Sequence, residues 1–154
     1  VALAAGISAL SPLAALAQMA PTVNRVTAAT GGVFAGGASF SGVTLSGADT
    51  GLGVAIQSDG TAIGDLDATL LGTNVLGQEQ DIEVTGQVLA GALNADGSAS
   101  LSGSSSVDLG DGSAPLLLSF TLTVAGGGSP TMLLVLGSTT LPIQNVTDGT
   151  VSIH

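Results

Sequence analysis

Short runs of alternating apolar and polar residues fill most of the chain after its first forty residues. The clearest is Leu116–Val124, where serines and threonines occupy one face and apolar residues the other: Leu118, Phe120, Leu122 and Val124. Leu52–Gln57 and Asp81–Leu89 alternate in the same way, and this period of two predicts β-strands with one buried face. Met132–Leu136 is apolar throughout, which predicts a central strand. No helical period follows residue 37, so the chain is predicted to be all-β.

Asp-Gly and related turn sequences separate these runs. They occur at Asp59-Gly60, Asn94–Gly97, Asp111-Gly112 and Asp148-Gly149, and such pairs favour tight hairpin turns. The sequence therefore predicts about eight or nine antiparallel strands, which close best as a β-sandwich or a barrel. A parallel β-helix stays an alternative, because glycine-rich strands with Asn and Asp turns suit it as well.

The chain divides into three segments. Residues 1–20 are apolar and uncharged, with Pro12 and a small-x-small triplet at Ala15–Ala17, and they resemble the apolar region and cleavage site of a secretory signal peptide. We expect a short apolar helix here, the remnant of a truncated signal. A retained membrane anchor or assembly helix and a helix packed on the domain are the alternatives. Residues 21–37 are interpreted as a linker or a loosely paired first strand, and residues 38–154 as the all-β domain.

Charge excludes whole classes of partner. The 154 residues contain eleven carboxylates and a single Lys or Arg, which is Arg25, giving a net charge of -10. Polyanions would be repelled, so we expect neither nucleic acid nor an anionic membrane surface as a partner. Cysteine is absent, which rules out disulfides, and charged residues make up only 8% of the chain. A surface of small polar residues, together with the export segment, predicts a secreted, extracellular or cell-envelope protein.

The sequence contains few candidate catalytic residues. The sole histidine is His154, a terminal position that is normally frayed, whereas catalytic triads need a firmly held imidazole. The acids at Asp65 and Asp67, and at 79, 81 and 83, alternate as on a strand face, but no Trp or Tyr is present to support a sugar ring. We therefore expect no catalytic residues, no enzyme activity, and solvated carboxylates on these faces.

Calcium is the one cofactor that the sequence suggests. Asp108 and Asp111, with Ser113, form the densest local group of oxygen ligands. Asp-Gly is also what an ordinary hairpin turn requires, and no segment matches the Asp-x-Asp-x-Asp-Gly calcium loop. Asp108 and Asp111 are therefore weak metal candidates, with turn formation as the alternative.

Two classes of function are compatible with these features. Soluble β-proteins commonly protect exposed strand edges with lysine, and this chain has none. The first hypothesis is therefore a non-enzymatic structural or interaction role at the cell surface, in which strand edges mediate self-assembly into a homo-oligomer or binding of another surface protein. The alternative is a small extracellular binding module that holds an apolar ligand in its interior. An internal pocket of several hundred Å3 would favour the alternative.

Overall fold

Residues 23–154 form nine antiparallel strands in one sheet. The computed structural model describes residues 23–154, so the predicted signal segment lies outside the described residues. No helix within residues 23–154 is long and apolar enough to cross a membrane. The strands are β1 (Val23–Phe40), β2 (Val43–Gln57), β3 (Thr61–Thr73), β4 (Ile82–Leu93), β5 (Ala99–Asp108), β6 (Leu116–Ala125), β7 (Thr131–Leu136), β8 (Thr139–Thr140) and β9 (Gln144–Ile153).

The strands pair in chain order, and the two ends of the sheet meet. The order is β6-β5-β4-β3-β2-β1-β9-β7-β8, and β6 also pairs with β7. The prediction of an all-β antiparallel domain is confirmed. Because β7 pairs with both β6 and β9, the sheet runs round without a break, which corresponds to the barrel rather than the sandwich. All strand pairings are antiparallel, which excludes the parallel β-helix for residues 23–154.

The strand β1 runs across the predicted boundary at residue 38. Residues 23–37, interpreted as a linker or a loosely paired first strand, belong to a strand that pairs with β2 on one side and β9 on the other. Its inward positions include Val26, Ala28 and Thr30, all buried. Small and polar residues at these inward positions hide the period of two, and only their neighbours in the sheet show that they are interior.

A hairpin turn at Ser41-Gly42 joins β1 to β2. Phe40 and Val43 are directly paired across it, and both turn residues have positive φ, 49° for Ser41 and 82° for Gly42. Two successive positive φ values define the tight turn that matches the twist of a hairpin. Glycine adopts this conformation without strain, and Ser41 is the single non-glycine residue within 23–154 that does so.

The inward faces of the strands form one aliphatic core. Its largest fully buried side chains come from β3, β4, β5, β6 and β7, and include Leu66, Leu70, Ile82, Leu101, Phe120, Leu122 and Leu136. Burial of each such side chain contributes about 1.5–3 kcal/mol. The alternation predicted for Leu116–Val124 is confirmed at Phe120, Leu122 and Val124, which are buried. Leu118 is only partly buried because it lies near the end of β6.

One buried amide links β9 to β2 across β1. The Gln144 Nε2 donates to the carbonyl of Ala48 over 2.7 Å. Gly32 of β1 lies between them, paired with Ala48 on one side and Val146 on the other. A Cβ on Gly32 would approach the Gln144 Nε2 to 2.7 Å. Because Gly32 has no side chain, the Gln144 amide can cross β1 and reach β2. This bond joins three strands where the sheet closes.

Candidate functional site

Each of the two calcium candidates accepts hydrogen bonds from residues of the loop between β5 and β6. The Asp111 Oδ1 accepts from the backbone N–H of Ser113 at 2.9 Å and from its hydroxyl at 2.5 Å, and the Asp108 Oδ1 accepts from the N–H of Gly110 at 2.9 Å. Within residues 23–154 no group of three or more acidic, histidine or cysteine side chains is placed to hold a metal ion. The hydrogen bonds match turn formation, the alternative given for these residues.

The arrangement at Asp111 recurs in two hairpins. Asp59 accepts from the N–H and hydroxyl of Thr61 at 2.9 and 2.6 Å, and Asp96 accepts from those of Ser98 at 2.9 and 2.6 Å. In all three turns the side-chain hydroxyl bond, followed by the backbone bond, lowers the pKa of the aspartate below its ordinary value. These carboxylates are therefore built into turns.

The remaining acidic pairs lie on exposed surfaces. Asp65 and Asp67 both point outward from β3 into solvent, as the alternation predicted. Asp81 accepts from the backbone N–H of Gly72 at 3.0 Å, so it ties the loop between β3 and β4 to the end of β3. None of these three carboxylates faces an enclosed cleft.

The interior of the closed sheet is filled. Its void lies among Phe34, Leu66, Met132 and Gln144 and has a free volume of about 10 Å3. One water at most fits such a space, whereas ligand pockets typically measure roughly 300–1,000 Å3. The described interior has no room for an apolar ligand.

One long strand edge has no partner. On one side β9 pairs with β1 from Gln144 to Ile153. On the other side it pairs with β7 only at Gln144 and Asn145, followed by one bond from the Val146 N–H to the Pro130 carbonyl. Within residues 23–154, no strand pairs with the far side of Thr147–Ile153, which we call the β9 edge.

The pairing pattern shows which backbone groups the β9 edge presents. Arg25 and His154 exchange both hydrogen bonds, at 2.5 and 3.0 Å. Hydrogen-bonded pairs alternate with non-bonded pairs along an antiparallel ladder, so the N–H and C=O groups of Val151 and Ile153 point away from β1. The β9 edge therefore offers a spaced row of donors and acceptors to an incoming strand.

A groove of about 500 Å3 runs beside this row. Its walls are the turn at Asp96–Ser98 and the loop at Gly126 and Gly127, and β9 contributes Val151, Ser152 and Ile153. Val151 and Ile153 are half-buried and pack against the core from one side. The site thus combines free backbone groups with a mostly polar groove, in which Val151 and Ile153 are the half-buried aliphatic side chains of β9.

Sequence reasoning did not locate this edge. The lack of lysine indicated that strand edges are unprotected, but nothing in the sequence pattern identified which strand has a free edge. Which side of a strand stays free depends on where β7 and β9 diverge, and that divergence is set by contacts distant in the sequence. Asp148-Gly149, predicted as a turn before the last strand, instead lies inside β9 beside a register shift.

Comparison with known proteins supplies no relative from which a function could be transferred. No protein-family model matches the chain, and no curated protein or solved structure matches it. The function of the chain is therefore inferred from its own geometry.

Proposed function

We propose that this chain is a non-enzymatic domain of the cell surface or the extracellular space that binds an extended protein segment by strand addition at the β9 edge. The observation that carries the proposal is the row of unpaired backbone groups at Val151 and Ile153, facing a groove of about 500 Å3. Main-chain hydrogen bonds supply affinity in this mode of recognition, and pockets for alternate side chains supply selectivity.

The β9 edge has few of the features that keep a strand edge from pairing. Natural sheets protect their edges with lysine, proline, bulges or covering loops. Here Asp148 and Gly149, with φ of 90°, distort the start of the edge, and Thr150–Ile153 continues as regular strand. The four residues Thr150–Ile153 are therefore open to regular strand pairing, which supports a binding role for this edge.

Two further features support the location and the class of partner. The likeness of residues 1–20 to a signal peptide supports export, and the net charge of -10 disfavours nucleic acid and anionic membrane surfaces as partners. The alternative of an apolar ligand inside the sheet loses support because the internal void measures about 10 Å3. We therefore favour a protein partner at the β9 edge.

A neutral peptide tests strand addition directly. The probe is a fluorescently labelled, amidated peptide of alternating Thr and Val, about eight residues long so that it extends beyond the open Thr150–Ile153 at both ends. It is titrated with the full chain and followed by fluorescence anisotropy. We expect saturable binding. Val151→Pro, which removes an N–H that points away from β1, should weaken binding at least about tenfold, or about 1.4 kcal/mol.

Val151→Thr is the matched control, because it keeps both the N–H and the shape of the side chain and should bind as the parent does. Far-ultraviolet circular dichroism checks that each variant is folded. Equal binding by the parent and Val151→Pro would exclude the β9 edge as the site. Absence of binding by the parent would reject strand addition of this probe and with it the proposed function.

A further inference from the structure

We infer that the segment added at the β9 edge is the same edge of a second copy of this chain, so that two β9 strands pair antiparallel about a two-fold axis at Val151. The inference rests on the proposed function, because it names the partner at that site. It follows from two independent observations. These are the alternation of backbone groups along β9 and the positions of Arg25 and His154.

The backbone permits only a few two-fold registers. Val151 and Ile153 present their N–H and C=O groups away from β1. These residues, and every second residue in step with them, must therefore form the hydrogen-bonded pairs with the second strand. Axes at Thr150, Val151 or Ser152 satisfy this condition. The axis at Thr150 pairs the whole β9 edge with its own counterpart, and the axis at Val151 does the same for Asp148–His154. Backbone pairing alone therefore leaves the choice of register to the side chains.

Charge selects among these registers. With the axis at Val151, His154 lies opposite the partner's Asp148. An axis at Thr150 would place His154 opposite the partner's Val146, and an axis at Ser152 would place it opposite the partner's Thr150. Only the first register brings a carboxylate to the sole histidine of the chain.

The sole arginine lies in the same cross-strand row. Arg25 is paired with His154 and its side chain is exposed on the outer face of β1. Gly31 is flanked by Asp148 on one side and Asp49 on the other. In the dimer these side chains would form one row across adjacent strands, which lie about 4.8 Å apart. The row would contain Arg25 and His154 of one copy, followed by the partner's Asp148 and, one strand beyond the partner's Gly31, the partner's Asp49.

This arrangement is self-complementary. The two-fold axis repeats the row, so a chain with net charge -10 would place every Arg and His it has against carboxylates of the other copy. Complementary charges across an interface fix register and disfavour other partners. An isologous contact of this kind closes as a dimer and does not continue into a fibre.

The loop on one side of the groove carries no side chains. It is Gly126–Gly128; a Cβ on Gly126 would lie 3.9 Å from the Val151 Cγ1 and the Ile153 Cδ1, whereas one on Gly127 or Gly128 would meet no atom within 4 Å. In the pair, Val151 of each copy would meet the partner's Val151, which would complete the burial of side chains that are half-exposed in a single copy.

Charge exchange tests the partner and the register together. The mass of the full-length protein is followed by sedimentation velocity. We expect the parent to form dimers. Asp148→Arg alone should be monomeric at the same concentration, because the new guanidinium would lie opposite the partner's His154 and in the same row as the partner's Arg25. The double variant Arg25→Asp, His154→Asp should also be monomeric because its edge becomes wholly acidic. An equimolar mixture of the two variants should restore a dimer with one copy of each.

Asp65→Arg is the matched control, because it makes the same charge change on β3, away from β9, and should dimerise as the parent does. Dimers that are lost in Val151→Pro but unaffected by the charge variants would overturn the register. A parent that stays monomeric while binding the Thr-Val peptide would overturn the second copy as occupant and leave the proposed function standing. Slow amide exchange of Val151 in dilute monomer would show an edge already covered within one chain, which would overturn the inference.

Discussion

At the scale of single residues, aspartates in this chain build turns. The unit Asp-Gly followed by Ser or Thr occurs at 59–61, 96–98, 111–113 and 148–150. In the first three the carboxylate accepts two hydrogen bonds from the third residue. The sequence predicted the turns correctly at all three places. It could not distinguish a turn from a calcium ligand at Asp111, because both use the same residue types and differ only in where the oxygens point.

These turns predict a loss of stability in acid. The lowered pKa of Asp59, Asp96 and Asp111 means that the folded state favours the charged carboxylate. The resulting stabilisation is present above the unfolded pKa of about 3.9 and is lost as the pH falls through the lower folded value. The triple variant Asp59→Asn, Asp96→Asn, Asp111→Asn keeps an acceptor oxygen but no charge, so it should unfold at lower urea than the parent near neutral pH.

The difference between parent and triple variant should shrink as the pH falls below the unfolded pKa of about 3.9 and disappear once the aspartates of the folded parent are protonated. Urea unfolding followed by circular dichroism, at neutral pH and at a series of acid pH values, measures it. A gap that persists in acid would show that the amide substitutions harm the turns for reasons other than charge.

At the scale of elements, the sequence predicts strands well only where large apolar side chains mark the inner face. The run at β6 was identified because Phe120, Leu122 and Val124 alternate with hydroxyl residues. By contrast, the inner face of β1 carries Ala28, Thr30 and Gly32, which are small enough to occur equally in a loop. The Ser41-Gly42 hairpin was missed for a related reason, since serine is not a residue that normally takes positive φ.

Packing between β4, β5 and β6 depends on glycines that make room for one ring. A Cβ on Gly86 would lie 2.9 Å from the Phe120 Cε1, and a Cβ on Gly103 would lie 3.0 Å from the same atom. On Gly103 it would also collide with the backbone carbonyl of Gln87. The two glycines therefore differ in whether a neighbouring side chain can give way.

We predict that Gly86→Ala destabilises the fold by about 1–3 kcal/mol through overpacking, and that Phe120→Leu relieves much of this cost. A double-mutant cycle from urea unfolding should then give a coupling of about 0.5–3 kcal/mol in favour of the pair. Gly103→Ala serves as the contrast, because its backbone collision should persist in the Phe120→Leu background. Additive costs for Gly86→Ala and Phe120→Leu would contradict this account of the packing.

At the scale of the whole molecule, closure of the sheet is the property that local sequence patterns do not encode. Hairpins between consecutive strands follow from turn sequences, and those joining β2 to β3, β4 to β5 and β5 to β6 were predicted. The pairing of β9 with β1 joins residues more than a hundred positions apart, for example Val26 and Ile153. Because β7 and β9 share only two paired positions, the same closure leaves the β9 edge open, so the fold and the proposed site have a common origin.

The short seam between β7 and β9 makes the Gln144 amide important to closure. Gln144→Met keeps a side chain of similar length but has no donor, so the buried carbonyl of Ala48 would lose its 2.7 Å bond. An unsatisfied buried acceptor costs about 1–3 kcal/mol, and we expect a loss of unfolding free energy of that size in urea. Gln87→Met, an exchange at an exposed position of β4, should change stability by less than about 0.5 kcal/mol. Equal stability of the two variants would mean that the seam closes without the amide, through the aliphatic contacts of β9 alone.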